Sequence, residues 1–128
     1  MKTENINEMI NGYKEAFIFA ESARDHEGNF IEYLDDYDFS SSADERIAQD
    51  VTAFCSANVA AISEAMSNGA TANQIGNDLH FTRNGHGVGF WDRPEMYTTN
   101  TANRLTSAAE VMPDVSAYIG EDNLIYIE

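Results

Sequence analysis

The stretch Asp78–Arg93, which reads DLHFTRNGHGVGFWDR, is the feature that most constrains the fold of this chain. At its centre lies Asn84-Gly85, a dipeptide that suits a type I′ turn because both central residues of that turn have positive φ. The residues on either side of this dipeptide alternate between apolar and other side chains, as residues do in strands with one buried face. The pattern therefore predicts a β-hairpin whose turn is Asn84-Gly85.

The predicted hairpin has two different faces, because side chains alternate along a strand. The expected core face carries Leu79, Phe81, Arg83, His86, Val88 and Phe90. The opposite face carries His80, Thr82, Gly87, Gly89 and Trp91, so much of it is bare backbone. Either the glycines only relieve twist and admit a packed helix, or the face is a docking surface with Trp91 as its anchor.

The net charge of −15, with 22 acidic against seven basic residues, limits the partners of this chain. Binding to nucleic acid through its phosphates needs a surface of lysine and arginine. Binding to an anionic membrane needs the same kind of basic surface. The charge therefore predicts no direct nucleic-acid or membrane binding and favours a basic protein partner, unless the acids only keep the protein soluble.

Six acids with no basic residue among them define a candidate binding surface, which we call the acidic patch. Its members are Glu32, Asp35, Asp36, Asp38, Asp44 and Glu45. Tyr33, Tyr37 and Phe39 interleave with them, which fits either a recognition surface or a solvated loop whose aromatic rings reach the core. A calcium loop would need more alternating carboxylates and a glycine, so no metal site is predicted here.

The rest of the chain predicts an α+β fold in a single domain, residues 1–128. Helices are expected at Glu4–Ala23, Ala43–Ser67 and Asn100–Met112, and a second hairpin at Val115–Ile119 and Leu124–Ile127. We therefore expect a small antiparallel sheet built from two hairpins and packed against about three helices, one of them long and central. A helical acidic half, about 1–69, would precede a hairpin–helix–hairpin half, about 70–128.

The residue types in the first hairpin suggest some chemistry, although no catalytic motif is present. His80, Arg83 and His86 could supply a general acid or base and an anion-binding group. The strand parity places the two histidines on opposite faces, however, and no phosphate-binding loop, nucleophile elbow or Cys/His metal pattern occurs. We therefore expect no catalytic residues, metal or cofactor. The alternative is a small enzyme or ligand-binding domain that uses the hairpin residues His80, Arg83, His86, Gly89 and Trp91.

The expected compartment is a reducing cytosol. Cys55 is the only cysteine, so no internal disulfide can form. No secretory signal or membrane-spanning run is evident in the sequence. A cytoplasmic protein without a membrane anchor is therefore predicted.

A family resemblance adds to these expectations. The motif TRNGHGVGFWDR at Thr82–Arg93 resembles one shared by small acidic proteins of bacteriophages and related mobile elements, and the likeness extends over Arg104–Thr106 and the C-terminal hairpin. This chain differs where those proteins tend to have histidine and tryptophan, since it has Asn77 and His80. The resemblance assigns no activity, but it implies an accessory phage protein that acts inside a bacterial host.

Charge and resemblance together predict an inhibitor or modulator of a basic host complex that binds nucleic acid. Restriction and CRISPR effectors have such basic channels, which carboxylates on a rigid scaffold could occupy by mimicking DNA. The expected partner is therefore a basic host protein or complex, and a homodimer is a further option. In either case the acidic patch and the hairpin are the candidate binding surfaces.

Overall fold

The computed structural model describes residues 1–128 and contains five α-helices and one five-stranded sheet. The helices are α1 (Thr3–Ala20), α2 (Ser41–Ala57), α3 (Val59–Ser67), α4 (Ala72–Arg83) and α5 (Thr99–Glu110). The strands are β1 (Ala23–Asp25), β2 (Phe30–Ile31), β3 (Asp38–Phe39), β4 (Ala117–Ile119) and β5 (Leu124–Ile127). One cluster of 24 buried hydrophobic residues draws on all five helices and on β1, β4 and β5. No helix is long and apolar enough to span a membrane.

The sheet is mixed, so the prediction of an antiparallel sheet made of two hairpins is wrong. The strand order is β2-β1-β4-β5-β3. The C-terminal hairpin β4–β5 is antiparallel as predicted, but β1 pairs with β4 and β3 pairs with β5 in parallel. Three strands, β1, β2 and β3, come from residues 23–39, which lie almost entirely between the helices predicted at Glu4–Ala23 and Ala43–Ser67. Strands of two or three residues are too short to show the alternation that identifies a strand.

The predicted hairpin at Asp78–Arg93 does not exist, because its first half is the end of α4. Ala72, Ile75 and Leu79 are buried at helical spacing, and Thr71 caps the helix start through a capping box with Gln74. Asn84-Gly85 ends the helix instead of turning a hairpin, with Gly85 at φ +65°. Glycine just past a helix end adopts this left-handed conformation without strain, so the dipeptide suits both structures.

The single long helix predicted at Ala43–Ser67 is two helices. Asn58 interrupts it with φ −132° and ψ 30°, and its side-chain amide donates to the Phe54 carbonyl oxygen at 2.9 Å. This local bond gives the backbone an alternative to the helical pattern, as asparagine often does. The chain therefore packs five helices in place of the expected three, with α2 and α3 on either side of the break.

Helices α1 and α4 cross at close range and position the candidate site. Gly12 lies against the backbone of Asn73, and Gly76 lies against the backbone of Met9. A Cβ atom at either glycine would overlap the facing carbonyl oxygen. The Asn77 side chain also donates to the Gly12 carbonyl oxygen at 2.6 Å. The absence of two side chains thus lets the two helical backbones touch.

Candidate functional site

Two histidines and one glutamate converge on a single point beside the C-terminus of α4. The Nε2 atom of His80 lies 2.7 Å from Oε2 of Glu21, and the Nε2 atom of His86 lies 2.5 Å from the same oxygen. One potential ligand atom from each of the three residues lies within 4.8 Å of the others. Two imidazoles and a carboxylate are groups that can share a proton or bind a metal ion.

The α1–α4 crossing brings Glu21 to His80. Glu21 is the first residue after α1, and it continues the four-residue spacing of Tyr13 and Phe17. The rings of those two aromatic residues pack on the His80 imidazole, with centroid separations of 4.8 and 5.1 Å. The face of α1 that packs on α4 therefore ends in a carboxylate at the level of the histidine.

The helix cap brings His86 to the same point. The backbone N–H of His86 donates to the Phe81 carbonyl oxygen, and that of Gly85 donates to the Thr82 carbonyl oxygen. These two bonds are the Schellman arrangement, which folds the chain back over the last turn of the helix. His80 and His86 therefore face the same carboxylate. The prediction that they lie on opposite faces assumed a β-hairpin, and the chain here is a helix followed by its cap.

The electrostatics of the cluster favour an anionic glutamate beside a neutral histidine. Burial alone would raise the pKa of Glu21, but the hydrogen bonds from His80 and His86 outweigh it and hold the pKa below its usual value. Burial lowers the pKa of His80, whose side chain is 0% exposed, and Glu21 offsets only part of that effect. Nδ1 of His80 is buried without a hydrogen-bond partner. In the absence of a metal, the tautomer with its proton on Nε2 leaves no buried N–H unsatisfied.

An open pocket of about 650 Å³ adjoins the cluster on the His86 side. Phe19, Phe81 and Val88 supply apolar surface to it, and Arg93 and Asp78 supply charge. Burial raises the pKa of Asp78 although Arg93 lies beside it. Oδ2 of Asp78 accepts hydrogen bonds from Arg93 at 3.0 Å and from the hydroxyl of Tyr97 at 2.9 Å. This network holds one wall of the pocket in place.

Arg83 makes no hydrogen bond to the Glu21–His80–His86 cluster and performs a structural task. Its guanidinium donates to Asp50 at 2.9 Å, to the Tyr13 hydroxyl at 3.2 Å and to the Pro113 carbonyl oxygen at 2.8 Å. The side chain is 3% exposed. Arg83 thus joins α4 to α1, α2 and the segment before β4. The His80, Arg83 and His86 group inferred from the sequence is therefore divided, and only the histidines stay together.

Gly89 and Trp91, which the sequence placed on a bare docking face, lie in a loop and a single 3₁₀ turn (Phe90–Asp92). Gly89 is buried, and a Cβ atom there would overlap the Thr82 hydroxyl and lie 2.8 Å from the Trp91 ring. Trp91 is 47% exposed. Gly87 has φ +78° with open space around it, so backbone conformation is its constraint. The flat glycine face is therefore absent, although Trp91 itself remains accessible.

The acidic patch lies on the surface as its composition suggested. Glu32, Asp35, Asp36, Asp38 and Glu45 are exposed, and Asp44 is half-buried in an ion pair with Lys14 at 2.7 Å. Among the interleaved aromatic residues, Tyr33 is 70% exposed and Tyr37 and Phe39 are partly buried. The segment therefore combines both sequence interpretations, with some rings packed and some presented to solvent.

Sequence reasoning missed Glu21 as a partner of the histidines. The usable signal was the i, i+4, i+8 spacing of Tyr13, Phe17 and Glu21, since an acid that continues an apolar stripe points at the packed neighbour. Recognising it required α4 to be read as a helix. The structure supplies the α1–α4 contact itself, in which Gly12 and Gly76 each face the backbone of the other helix.

Comparison with known proteins does not place the chain in a family. No protein-family model matches it, and neither curated proteins nor solved structures give a significant match.

Proposed function

We propose that this protein is a phage-type acidic accessory protein of the bacterial cytoplasm. In this proposal it binds and inhibits or modulates a host nucleic-acid-binding defence complex, as anti-CRISPR and anti-restriction proteins do, with DNA mimicry as the mode. The observation that supports it best is the free charge of the acidic patch. Of its six carboxylates, only Asp44 forms an ion pair within 4 Å. The other five are available to a basic partner.

The path of the chain supports a fixed array of charge. Strands β2 and β3 are the two outer strands of the sheet, so residues 32–37 must cross its full width. Four intervals of about 4.8 Å make that width roughly 19 Å. Leu34, which is 0% exposed, anchors the crossing in the core, and its carbonyl oxygen accepts from the Tyr37 N–H at 3.0 Å. The carboxylates from Glu32 to Asp38 thus extend along an anchored segment.

The charge density of this segment approaches that of one strand of DNA. It carries four carboxylates over roughly 19 Å, whereas one strand of B-DNA carries about one charge per 3.4 Å of helix axis, or roughly six over the same distance. A basic channel that binds DNA would attract such an array at long range, and the attraction would weaken with salt. Exposed Tyr33 within the array offers an aromatic anchor for a partner.

The experiment is inhibition of purified restriction and CRISPR nucleases by the protein, measured as DNA cleavage at low and high salt. The test variant combines Asp35→Asn, Asp36→Asn and Asp38→Asn. Its control combines Glu8→Gln, Glu95→Gln and Glu110→Gln, which are exposed acids outside the patch and change the net charge by the same three units. We expect inhibition by the parent that falls with salt, a large loss in the test variant and retention in the control.

Two results would contradict the proposal. If both triple variants lost inhibition equally, net charge and not the acidic patch would be responsible. If the parent neither inhibited nor bound any nuclease of the panel at low salt, the defence-complex target would be wrong.

A second candidate function, a ligand-binding domain or small enzyme, is favoured by the pocket beside His86. This pocket uses Arg93 where the sequence suggested Arg83. The test is a thermal-shift screen with metabolites and nucleotides, repeated on Val88→Trp, which would fill the pocket. Val59→Trp is the matched control, since Val59 and Val88 are 41% and 44% exposed and Val59 lies on α3. A stabilising compound that Val88→Trp alone abolishes would support this function, and no such compound would count against it.

A further inference from the structure

We propose that Glu21, His80 and His86 form a binding site for a divalent transition-metal ion, with zinc as the expected ion, independently of the function proposed above. Three protein side chains supply two imidazole nitrogens and one carboxylate oxygen. Zinc takes this donor set in sites that keep an open coordination position, and other first-row transition metals share it. Hard ions such as calcium and magnesium prefer all-oxygen sites, so they are not the expected occupants.

The geometry needs little adjustment to accept the ion. Bonds of about 2.0–2.1 Å to nitrogen and oxygen place neighbouring tetrahedral ligands roughly 3.3 Å apart. The two histidine nitrogens now lie 2.7 and 2.5 Å from the glutamate oxygen. All three atoms lie within 4.8 Å of one another. Side-chain movements of about 1 Å would therefore let the three atoms surround one ion.

The rigidity of the surroundings supports a built site. His80 is fully buried between Tyr13 and Phe17, and Glu21 is 15% exposed at the end of α1. His86 is the accessible member, since its side chain is 31% exposed and lines the pocket of about 650 Å³. An ion would enter from that pocket, and a fourth position would open toward it for water or a ligand.

The same distances also describe a carboxylate that accepts hydrogen bonds from two neutral imidazoles, so the experiment must separate the two arrangements. Metal on Nε2 of His80 would move its proton to Nδ1, which has no acceptor in the structure. Leaving that donor unpaired costs roughly 10- to 100-fold in affinity. We therefore expect zinc to bind about 10- to 100-fold more weakly than at a site in which both histidines have an outer hydrogen-bond partner.

The test uses the full-length protein stripped of metal with chelator. Titration with Co²⁺ should give the visible absorption of a four- or five-coordinate cobalt site, and calorimetry with Zn²⁺ should give one ion per chain. Both titrations are repeated in an excess of Mg²⁺, which occupies the surface carboxylates. These carboxylates would otherwise bind Zn²⁺ non-specifically in a chain with a charge of −15. Binding through two imidazoles should persist in that excess.

The chain offers its own control because it has three histidines. His86→Ala removes the accessible ligand and should weaken Zn²⁺ binding by more than the roughly 10- to 100-fold that loss of an outer-shell partner costs. His26→Ala removes an exposed histidine whose only ion pair within 4 Å is with Glu27 at 3.6 Å, and it should leave binding unchanged. Circular dichroism would establish that both variants keep the parent fold.

Clear outcomes would overturn the site. No cobalt absorption and no zinc binding by the parent in excess Mg²⁺ would mean that the cluster is only hydrogen-bonded. Equal losses in His86→Ala and His26→Ala, or a folded His86→Ala that binds like the parent, would place the ion elsewhere. These results would leave the acidic-patch proposal untouched, since the nuclease assay uses variants outside this cluster.

Discussion

Replacing Gly76 by alanine is the sharpest test of the α1–α4 crossing. In an unobstructed helix this change would stabilise the protein by about 1 kcal/mol, because glycine is a poor helix former. Here the new Cβ atom would overlap the Met9 carbonyl oxygen and lie 2.8 Å from the Tyr13 nitrogen, where ordinary contact begins at about 3.4 Å. Both obstacles are backbone atoms of α1, so no side-chain rotation can relieve the overlap.

The expected magnitude follows from the balance of these effects. Overpacking that forces backbone to shift costs about 1–3 kcal/mol, and the upper end applies because two helices must separate. After the gain in helix propensity, we expect a net loss of about 2 kcal/mol. With an unfolding entropy of about 2.1 cal/mol/K per residue, a chain of 128 residues would melt about 7 °C lower. Urea unfolding followed by circular dichroism at the helix band measures the free energy directly.

A control and a clear refutation accompany this prediction. Asn11→Ala changes an exposed position of α1, the other helix of the crossing, so it should be neutral or stabilise by a few tenths of a kcal/mol. If Gly76→Ala were as stable as the parent, or more stable, the new Cβ atom would not meet the overlap that the crossing implies. The backbone contact between α1 and α4 would then be wrong.

Three further predictions concern other buried groups. Arg83→Met should destabilise the protein by about 2 kcal/mol in urea unfolding, because Asp50 loses its shorter ion pair and keeps only Arg46 at 3.6 Å. Adding Asp50→Asn should recover part of the loss. Burial raises the pKa of the Cys55 thiol to about 11, so the unfolded chain loses this proton at lower pH than the folded chain does. The free energy of unfolding should therefore fall by about 2 kcal/mol between about pH 9 and 11, and Cys55→Ala should reduce this fall. Gly89→Val should lower the melting temperature, because the new side chain would overlap Thr82, and it should leave the elution volume in size-exclusion chromatography unchanged. Unaltered stability together with lost self-association would instead support the docking face predicted from the sequence.

Much of the fold was accessible from sequence patterns that span several turns or strands. The helices predicted at Glu4–Ala23 and Asn100–Met112 and the second hairpin all rest on local signals that the structure confirms. The error at Asn84-Gly85 had a physical origin, since the same two residues satisfy a type I′ turn and a helix cap. Periodicity upstream decides between the two, and Ala72, Ile75 and Leu79 follow the helical period.

The parallel strand pairs could not be read from the sequence. Strands β1 and β3 find their partners β4 and β5 more than 80 residues later in the chain. Nothing in a segment of two or three residues encodes which distant strand it joins. The candidate site was equally hard to predict, because Glu21 and His80 are in contact although 59 positions separate them in the sequence. Local patterns identified the histidines, and only the tertiary contact supplied the acid.

The RNGH part of the motif performs a separate task at each position. Arg83 joins three parts of the core, and Asn84 exchanges two hydrogen bonds of 3.0 Å with the backbone of Val115. Gly85 supplies the left-handed residue of the cap, and that cap directs His86 toward Glu21. Three of these four positions therefore have a sufficient structural reason to be the residues they are.

His86 is different, because no part of the core depends on its side chain. It is the most accessible member of the cluster, it lines the pocket, and the helix cap would form equally well with another residue there, since the cap uses only its backbone N–H. The partly buried carboxylate of Glu21 already has a partner in His80, so stability does not require a second imidazole on the same oxygen. Structural roles therefore account for Arg83, Asn84 and Gly85 but not for the imidazole of His86. That imidazole is the one that a metal ion or ligand entering through the pocket would contact first.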